Sequence, residues 1–600
     1  MTISPVSAQV DDPTSEAPAE PVPSPSRAGR RFALVAVVVV VVIVLAAAWV
    51  AFRAVQAAGA LMDARDVVKS LETGVDERDP DVLANALPQA QDAASRARAA
   101  SSDPVWKLAE HVPWVGAQLE GVSTVSASLD DVVQDALPPV RDLGQLLQGG
   151  ELRRSDGSVD VQALAQAAPA LAAASATATQ ANARVQGIDT EALVGPLQGP
   201  VTDAADGLAR VAGLLAGVDR AASLAPAMLG ADGPRTYLVL ALNSAELRSA
   251  GGIVGSILEV KADDGHLTLG RQVSTADLEG IDQPILPLTP AETTLYGSRL
   301  GRWIQNAVTT PDFPRAAQLI TARWERDVHG SVDGVVATDP VAVQKVLHAL
   351  GPVKGDGRTL EADSILRLLL RDTYRDAETG AEADAVFSSV AGTVFGALTG
   401  GAGTSPDLLD ALSSASDEGR FRVWSAHDDE QQVLQDSGIG SAFLSGDHPD
   451  AAGVFLNDAT EGKLDYYLKT KVSAQCAVGD TTATVRVELT YTPPKDVDSL
   501  PDFALGARPD AVAPGSLATG VLFFAPVGAP LEAVTQDGAL VAGNAATEAG
   551  RRGVTATSVL APGGHTVYEM TVPVRDGGVE VWTTPTVNGP GYTRTNCTNG

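Results

Sequence analysis

The string AELRSAGG, residues 245–252, sets an acid, a base and a glycine pair close together: Glu246, Arg248, Gly251 and Gly252. An arginine can grip two oxygens of a phosphate or carboxylate through its planar donor fork, and glycines lack the side chains that hold a ligand off the backbone. The combination suits a lipid-linked diphosphate, with a divalent cation such as magnesium sharing the charge if the chemistry is group transfer. It equally suits a local ion pair beside a turn. A second charged group, Arg299, Arg302, Asp312 and Arg315, falls in a helix-rich stretch, where such residues are ordinarily a solvated face.

Other polar residues carry less. Asn457, Lys463 and Asp465, and Asp333 before Gly334, read as turn residues, because Asn, Asp and Gly satisfy backbone groups locally. The seven histidines are scattered without H-E-x-x-H spacing, so no metal site is expected. Hydrolase, nucleotide and redox readings lack support too: G-x-S-x-G, a Walker A loop, a dinucleotide G-x-G-x-x-G and C-x-x-C are all missing from the sequence. Catalytic residues and any cofactor stay unassigned.

These groups need elements to position them, and the first element is a membrane anchor. Phe32 to Phe52 holds no charged residue and, at about 1.5 Å per residue, spans the roughly 30 Å hydrocarbon core. It exceeds the apolar core of a cleaved signal peptide. Arg27, Arg30 and Arg31 precede it and Arg53 alone directly follows, which predicts a cytoplasmic N-terminus and an extracytoplasmic bulk. Residues 1–31, rich in Pro, Ser and Ala, are expected to be a disordered cytoplasmic tail with no room for a signalling module.

A length of 600 residues implies two or three folded units beyond the anchor. Residues 53–228 read as a helical bundle or stalk: Leu108, Val112, Val115, Leu119, Val122, Leu129 and Val133 keep helical spacing, with breaks expected at Asp103-Pro104, Pro113, Pro138-Pro139, Gly149-Gly150 and Gly199-Pro200. Residues 234–466 alternate strand and helix patterns and predict an α/β domain. Residues 467–600 carry short strands between Gly- and Pro-rich turns and predict a β-sandwich. Cys476 and Cys597, the only cysteines, lie near the two ends of that domain, and in an oxidising compartment they are expected to form a disulfide.

The net charge of −31 falls almost wholly on the exported part, because Asp11, Asp12, Glu16 and Glu20 nearly cancel the arginines of the tail. Such a surface argues against nucleic acid and anionic lipid headgroups as partners.

Three strings carry a resemblance: LNSAELRSAGGIVGSILEV (Leu242 to Val260), DFPRAAQLITARWERDVHGSVDGVVATDPVAVQKVLHALGPV (Asp312 to Val353) and FLNDATEGKLDYYL (Phe455 to Leu468). They resemble the bacterial membrane-anchored family known as domain of unknown function 4012, as does HVPWVGAQLEGVSTVSASLDDVVQDALPPV upstream. The resemblance implies a cell-envelope protein associated with surface polysaccharide, and it names no reaction. A weaker similarity is to the LytR-CpsA-Psr glycopolymer transferases, through VDGVVATDPVAVQKVLHALGPV. Here the departures are marked: ELRSAGGIVGS places its arginine before the glycine pair, and RQVSTADL lacks an arginine-aspartate step. The expectation is a single-pass envelope protein binding a protein or glycan partner. The alternatives are a transferase acting on a lipid-linked diphosphate and the external half of a sensor complex.

Overall fold

The computed structural model describes residues 27–76, 81–148, 150, 152–402, 406–435, 437–507 and 512–597. Most of the expected tail, residues 1–26, therefore lies outside the described residues. The rest forms two compact units, one of residues up to Asp135 with Thr177–Arg210, the other of Ala136–Ala176 with Val211 onward.

In the first unit, one helix runs without interruption over Arg27–Asp76, starting ahead of the expected Phe32 and continuing well past Phe52. Its segment Leu34–Ala64, with mean hydropathy reaching 3.2, is long and apolar enough to cross a membrane. Beyond the apolar run the helix turns Ala57, Ala60 and Ala64 toward the helix Asp81–Ser101, whose own Ala90, Ala93 and Ala97 are buried. Alanine at three- and four-residue steps lets two helix axes approach closely.

The expected breaks divide by chemistry. Asp103-Pro104 is a true one: the Asp103 carboxylate accepts from the amides of Val105 (2.9 Å) and Trp106 (3.3 Å), capping a new short helix. By contrast, Pro138-Pro139 follows a π-turn at Val132–Ala136, which widens the helix where two backbone donors are missing. Gly199-Pro200 lies inside the helix Gly195–Met228 near its start, and the helix runs on. Of the predicted apolar stripe, Leu119 and Val133 are buried, whereas Leu108, turned away from the buried Trp106 on its short helix, and Val112, between the helix end at Ala109 and the next start at Val115, are exposed.

The second unit contains a mixed five-stranded sheet. Its strands are β1 (Arg235–Asn243), β2 (Ile253–Asp263), β3 (His266–Ser274) and β4 (Gly334–Thr338), with Phe421–Ser425 at the edge beside β4. β1 pairs antiparallel with β2 and parallel with β4. Alternation along β1 covers both faces: Leu238, Leu240 and Leu242 join Phe313, Ile320 and Trp324 of the helix Phe313–Asp327. Val239 and Ala241 face a small apolar cavity of about 150 Å³ under the helices Pro340–Leu350 and Gly380–Ala397.

Two further sheets share a second apolar cluster that includes Val454, Val487, Tyr491, Phe523, Tyr568 and Val581. One is five-stranded, the other six-stranded. Ala452–Asp458, expected at the end of the α/β domain, is an interior strand of the six-stranded sheet, between Leu517–Phe524 and Gly578–Thr583. Its run AGVFL is buried on both faces and so lacks the alternation that would have marked it as a sheet strand. Cys476 and Cys597 are disulfide-bonded, with Cα atoms 5.1 Å apart, across a sequence separation of 121.

Candidate functional site

The loop after β1 brings Glu246 and Arg248 together, and both are buried. Arg248 Nη2 donates to Glu246 Oε1 at 2.8 Å, Nη1 to the Leu247 carbonyl at 2.8 Å, and Nε to Asn306 Oδ1 at 3.0 Å. Lys463 pairs with the other oxygen of Glu246. Burial works against the charge on Glu246, but Lys463 and then Arg248 outweigh it and hold the carboxyl below its usual range.

Lys463 and Asp465, read from the sequence as turn residues, are thus part of this cluster. The Leu247 amide donates to Asp465 Oδ2 at 2.7 Å, the Asp458 amide to the Leu247 carbonyl at 2.8 Å, and the Asp465 amide to the Ala245 carbonyl at 2.9 Å. Asn457 Oδ1 accepts from the Ser249 amide at 3.0 Å. Burial, followed by the charge of Glu246, pushes Asp458 up to about 6. Burial, followed by the charge of Asp458, raises Asp465 well above the ordinary range, and its Oδ1 is buried without a hydrogen-bond partner. The cluster is a clamp that fastens the loop after β1 to the six-stranded sheet.

The glycine pair serves the same fastening. A Cβ on Gly252 would stand 2.4 Å from the Asn243 carbonyl carbon, and one on Gly251, at φ +110°, would meet the Pro585 ring at 3.1 Å. The close approach that these glycines permit is taken by protein. Asp312 and Arg315 do not meet this cluster in any hydrogen bond or ion pair. Asp312, raised by burial, accepts from the amides of Leu444 and Ser445, both at 3.0 Å. Arg315 pairs with Glu292 at 2.7 Å. Arg299 pairs with Glu461, and Arg302 donates to the Ile281 carbonyl at 2.7 Å. Asp333 accepts from the Thr236 amide at 2.8 Å.

The open space lies elsewhere. A cleft of about 480 Å³ is lined by Trp582, Tyr592, His448, Arg422, Asp417 and Glu580, among others. Along Gly578–Thr583, Val579 and Val581 fill the core while Glu580 and Trp582 alternate to the other face. Trp582 is half-buried, with the Tyr592 ring 6.3 Å away at 88° and the His448 ring 4.7 Å away. Its indole N–H donates to Glu580 Oε1 at 2.7 Å, fixing the ring.

Arg422 adds a positive charge to a lining that also carries the carboxylates Asp417 and Glu580. Two residues earlier, Arg420 is saturated by Asp339 (2.9 Å), Glu418 (2.6 Å) and the carbonyls of Thr586 and Gly589 (both 2.8 Å). Arg422 is also buried, yet it donates to the Ala250 carbonyl and makes no ion pair among the described residues. Burial pushes it down to about 10. Asp339 supports its charge through space without an ion pair, so donors of the guanidinium are left to serve a polar oxygen or an anionic group in the cleft. Sequence reasoning passed over Trp582, Tyr592 and Arg422; the alternating VEVWT was the available signal, since it puts a tryptophan on the face opposite Val579 and Val581, where it packs on Phe443 with its ring half-buried.

No curated protein matches the chain. Among solved structures, the transcriptional regulator yvhJ from Bacillus subtilis is 13% identical, over 34% of this chain and 76% of that one, with a TM-score of 0.17, too low for the likeness to carry an argument. A family described as "Protein of unknown function (DUF4012)" matches residues 232–374, the stretch that forms β1 to β4 and the loop bearing Glu246 and Arg248. The likeness to that family covers this stretch, about a quarter of the 600 residues.

Proposed function

We propose that this is a single-pass, membrane-anchored protein of the cell envelope, with its bulk outside the cytoplasm, and that its cleft binds a glycan. The observation that carries the reading is the Trp582–Tyr592 pair beside Arg422 in a cleft of about 480 Å³. Sugar rings present flat C–H faces that pack on aromatic rings, and their hydroxyls suit carboxylates such as Asp417 and Glu580. Arg422 would take a carboxylate or phosphate substituent on the chain. The arginines ahead of the apolar run support a cytoplasmic N-terminus.

A transferase centred on Arg248 gains no support from this geometry, because each of its three guanidinium nitrogens is engaged by protein acceptors. The test is calorimetric titration of the full-length protein in nanodiscs with polysaccharide fractions from its own envelope. Saturable binding that weakens in Trp582→Ala supports the reading; absence of binding to every fraction rejects it.

A further inference from the structure

The segment that follows the helix Asp81–Ser101 stands beside the anchor. Trp49, near the end of the apolar run, donates its indole N–H to Asp103 Oδ1 at 3.1 Å. Arg53, one residue past that run, donates to the Ala99 carbonyl, lies 4.0 Å from Asp103 and stacks 5.9 Å from the Trp49 ring. Tryptophan and arginine at the end of an apolar span mark the depth of the lipid headgroups. Asp103 is therefore held at that depth.

What comes next in the chain is apolar and uncovered. Trp106 is fully buried and donates to the Leu119 carbonyl at 3.3 Å, which pins the short helix Pro104–Ala109 to its unit. Leu108 lies two residues on, about 200° around that helix, and is 74% exposed. Val112 is 48% exposed and Trp114 72% exposed. The charges interspersed with them are satisfied locally, since Lys107 and Glu110 pair at 2.9 Å and Ser123 donates to Glu110 at 2.7 Å.

We infer that Leu108, Val112 and Trp114 form a second membrane contact that inserts into the outer leaflet beside the anchor. A lipid surface is the occupant because the segment is hydrogen-bonded to the anchor at the headgroup level. Its residue types, an exposed tryptophan with aliphatic neighbours, are those that partition into that zone. The contact holds the first unit at a fixed tilt, which a lone helix would leave free. The inference rests on the anchor reading.

The test uses the two native cysteines' engagement in a disulfide, which leaves an introduced cysteine as the sole thiol. Full-length protein in phospholipid nanodiscs carries a nitroxide at Val40→Cys, Val112→Cys or Asp92→Cys, and collisions with oxygen and with a water-soluble nickel chelate are compared. Position 92 lies eleven residues from Asp103, about 16 Å along the helix. Oxygen-dominated collisions at 40 and 112 with nickel-dominated collisions at 92 support the inference. If 40 is lipid-exposed and 112 is nickel-accessible, the second contact fails and the anchor stands. Shielding of 112 from both reagents also overturns it, because a protein then covers the segment. A nickel-accessible position 40 overturns anchor and contact together.

Discussion

Lys463 and Glu246, 217 residues apart in the chain, form an ion pair whose carboxylate also accepts from Arg248 at 2.8 Å. The loop after β1 and the strand Ala452–Asp458 with its following turn are thereby one structural element. Removing Arg248 leaves Glu246 paired with Lys463, but it takes the donor from Asn306 and from the Leu247 carbonyl, and each buried group left unsatisfied costs about 1 to 3 kcal/mol. Arg248→Ala is expected to lose stability on that scale, read as a lowered midpoint in urea unfolding, and Arg248→Lys to recover only part of it.

Within the same cluster, pH acts through Asp458. Its carboxyl is raised to about 6 when folded, against 3.8 unfolded, so the folded protein holds a proton that the unfolded chain has released. The stabilisation is complete below about pH 4 and is lost as pH rises through 6. Asp458→Asn, which cannot ionise, is expected to flatten the fall in stability between about pH 4 and 7 by on the order of 2 kcal/mol. Chemical denaturation at several pH values measures it. Glu246 runs the opposite way: its lowered carboxyl contributes stability above its unfolded value of 4.5, lost as pH falls below it.

Gly252 is expected to tolerate no side chain. Alanine there places its Cβ 2.4 Å from the Asn243 backbone, so β1 and β2 must part where they meet. Gly252→Ala is expected to cost on the order of 2 kcal/mol, the scale of overpacking in a close-packed interior. A fall in thermal midpoint tests this.

Paired Cys476→Ser and Cys597→Ser substitutions remove a closure of 121 residues. The chain-entropy account puts the loss at about 4 to 5 kcal/mol. Unfolding of the wild type with and without reductant is expected to reproduce the difference.

Much of the architecture was legible, and the reasons it was not legible in full are physical. The long apolar helix near the N-terminus, the strands around β1 and the pairing of Cys476 with Cys597 follow from composition and spacing, which are local signals. Two exceptions share a cause. The strand Ala452–Asp458 is buried on both faces and so shows no period. Lys463 and Asp465 look like turn residues because their partners, Glu246 and the Leu247 amide, come from another part of the chain. Arg248 was singled out as a candidate to bind a ligand. Its ligands are protein groups, and nothing in AELRSAGG could disclose that. Trp582 and Tyr592 were missed because they come from adjacent strands, and the cleft they line also needs His448 and Arg422 from elsewhere in the fold.

The central claim is that the cleft beside Trp582 binds a glycan. Titration of the full-length protein with envelope polysaccharide, for the wild type and for Tyr592→Ala, tests it most directly. Tyr592→Ala is expected to bind about tenfold more weakly, the equivalent of one lost aromatic contact, with an unchanged unfolding midpoint. Equal affinity in the two proteins, or no binding by the wild type, would contradict the claim.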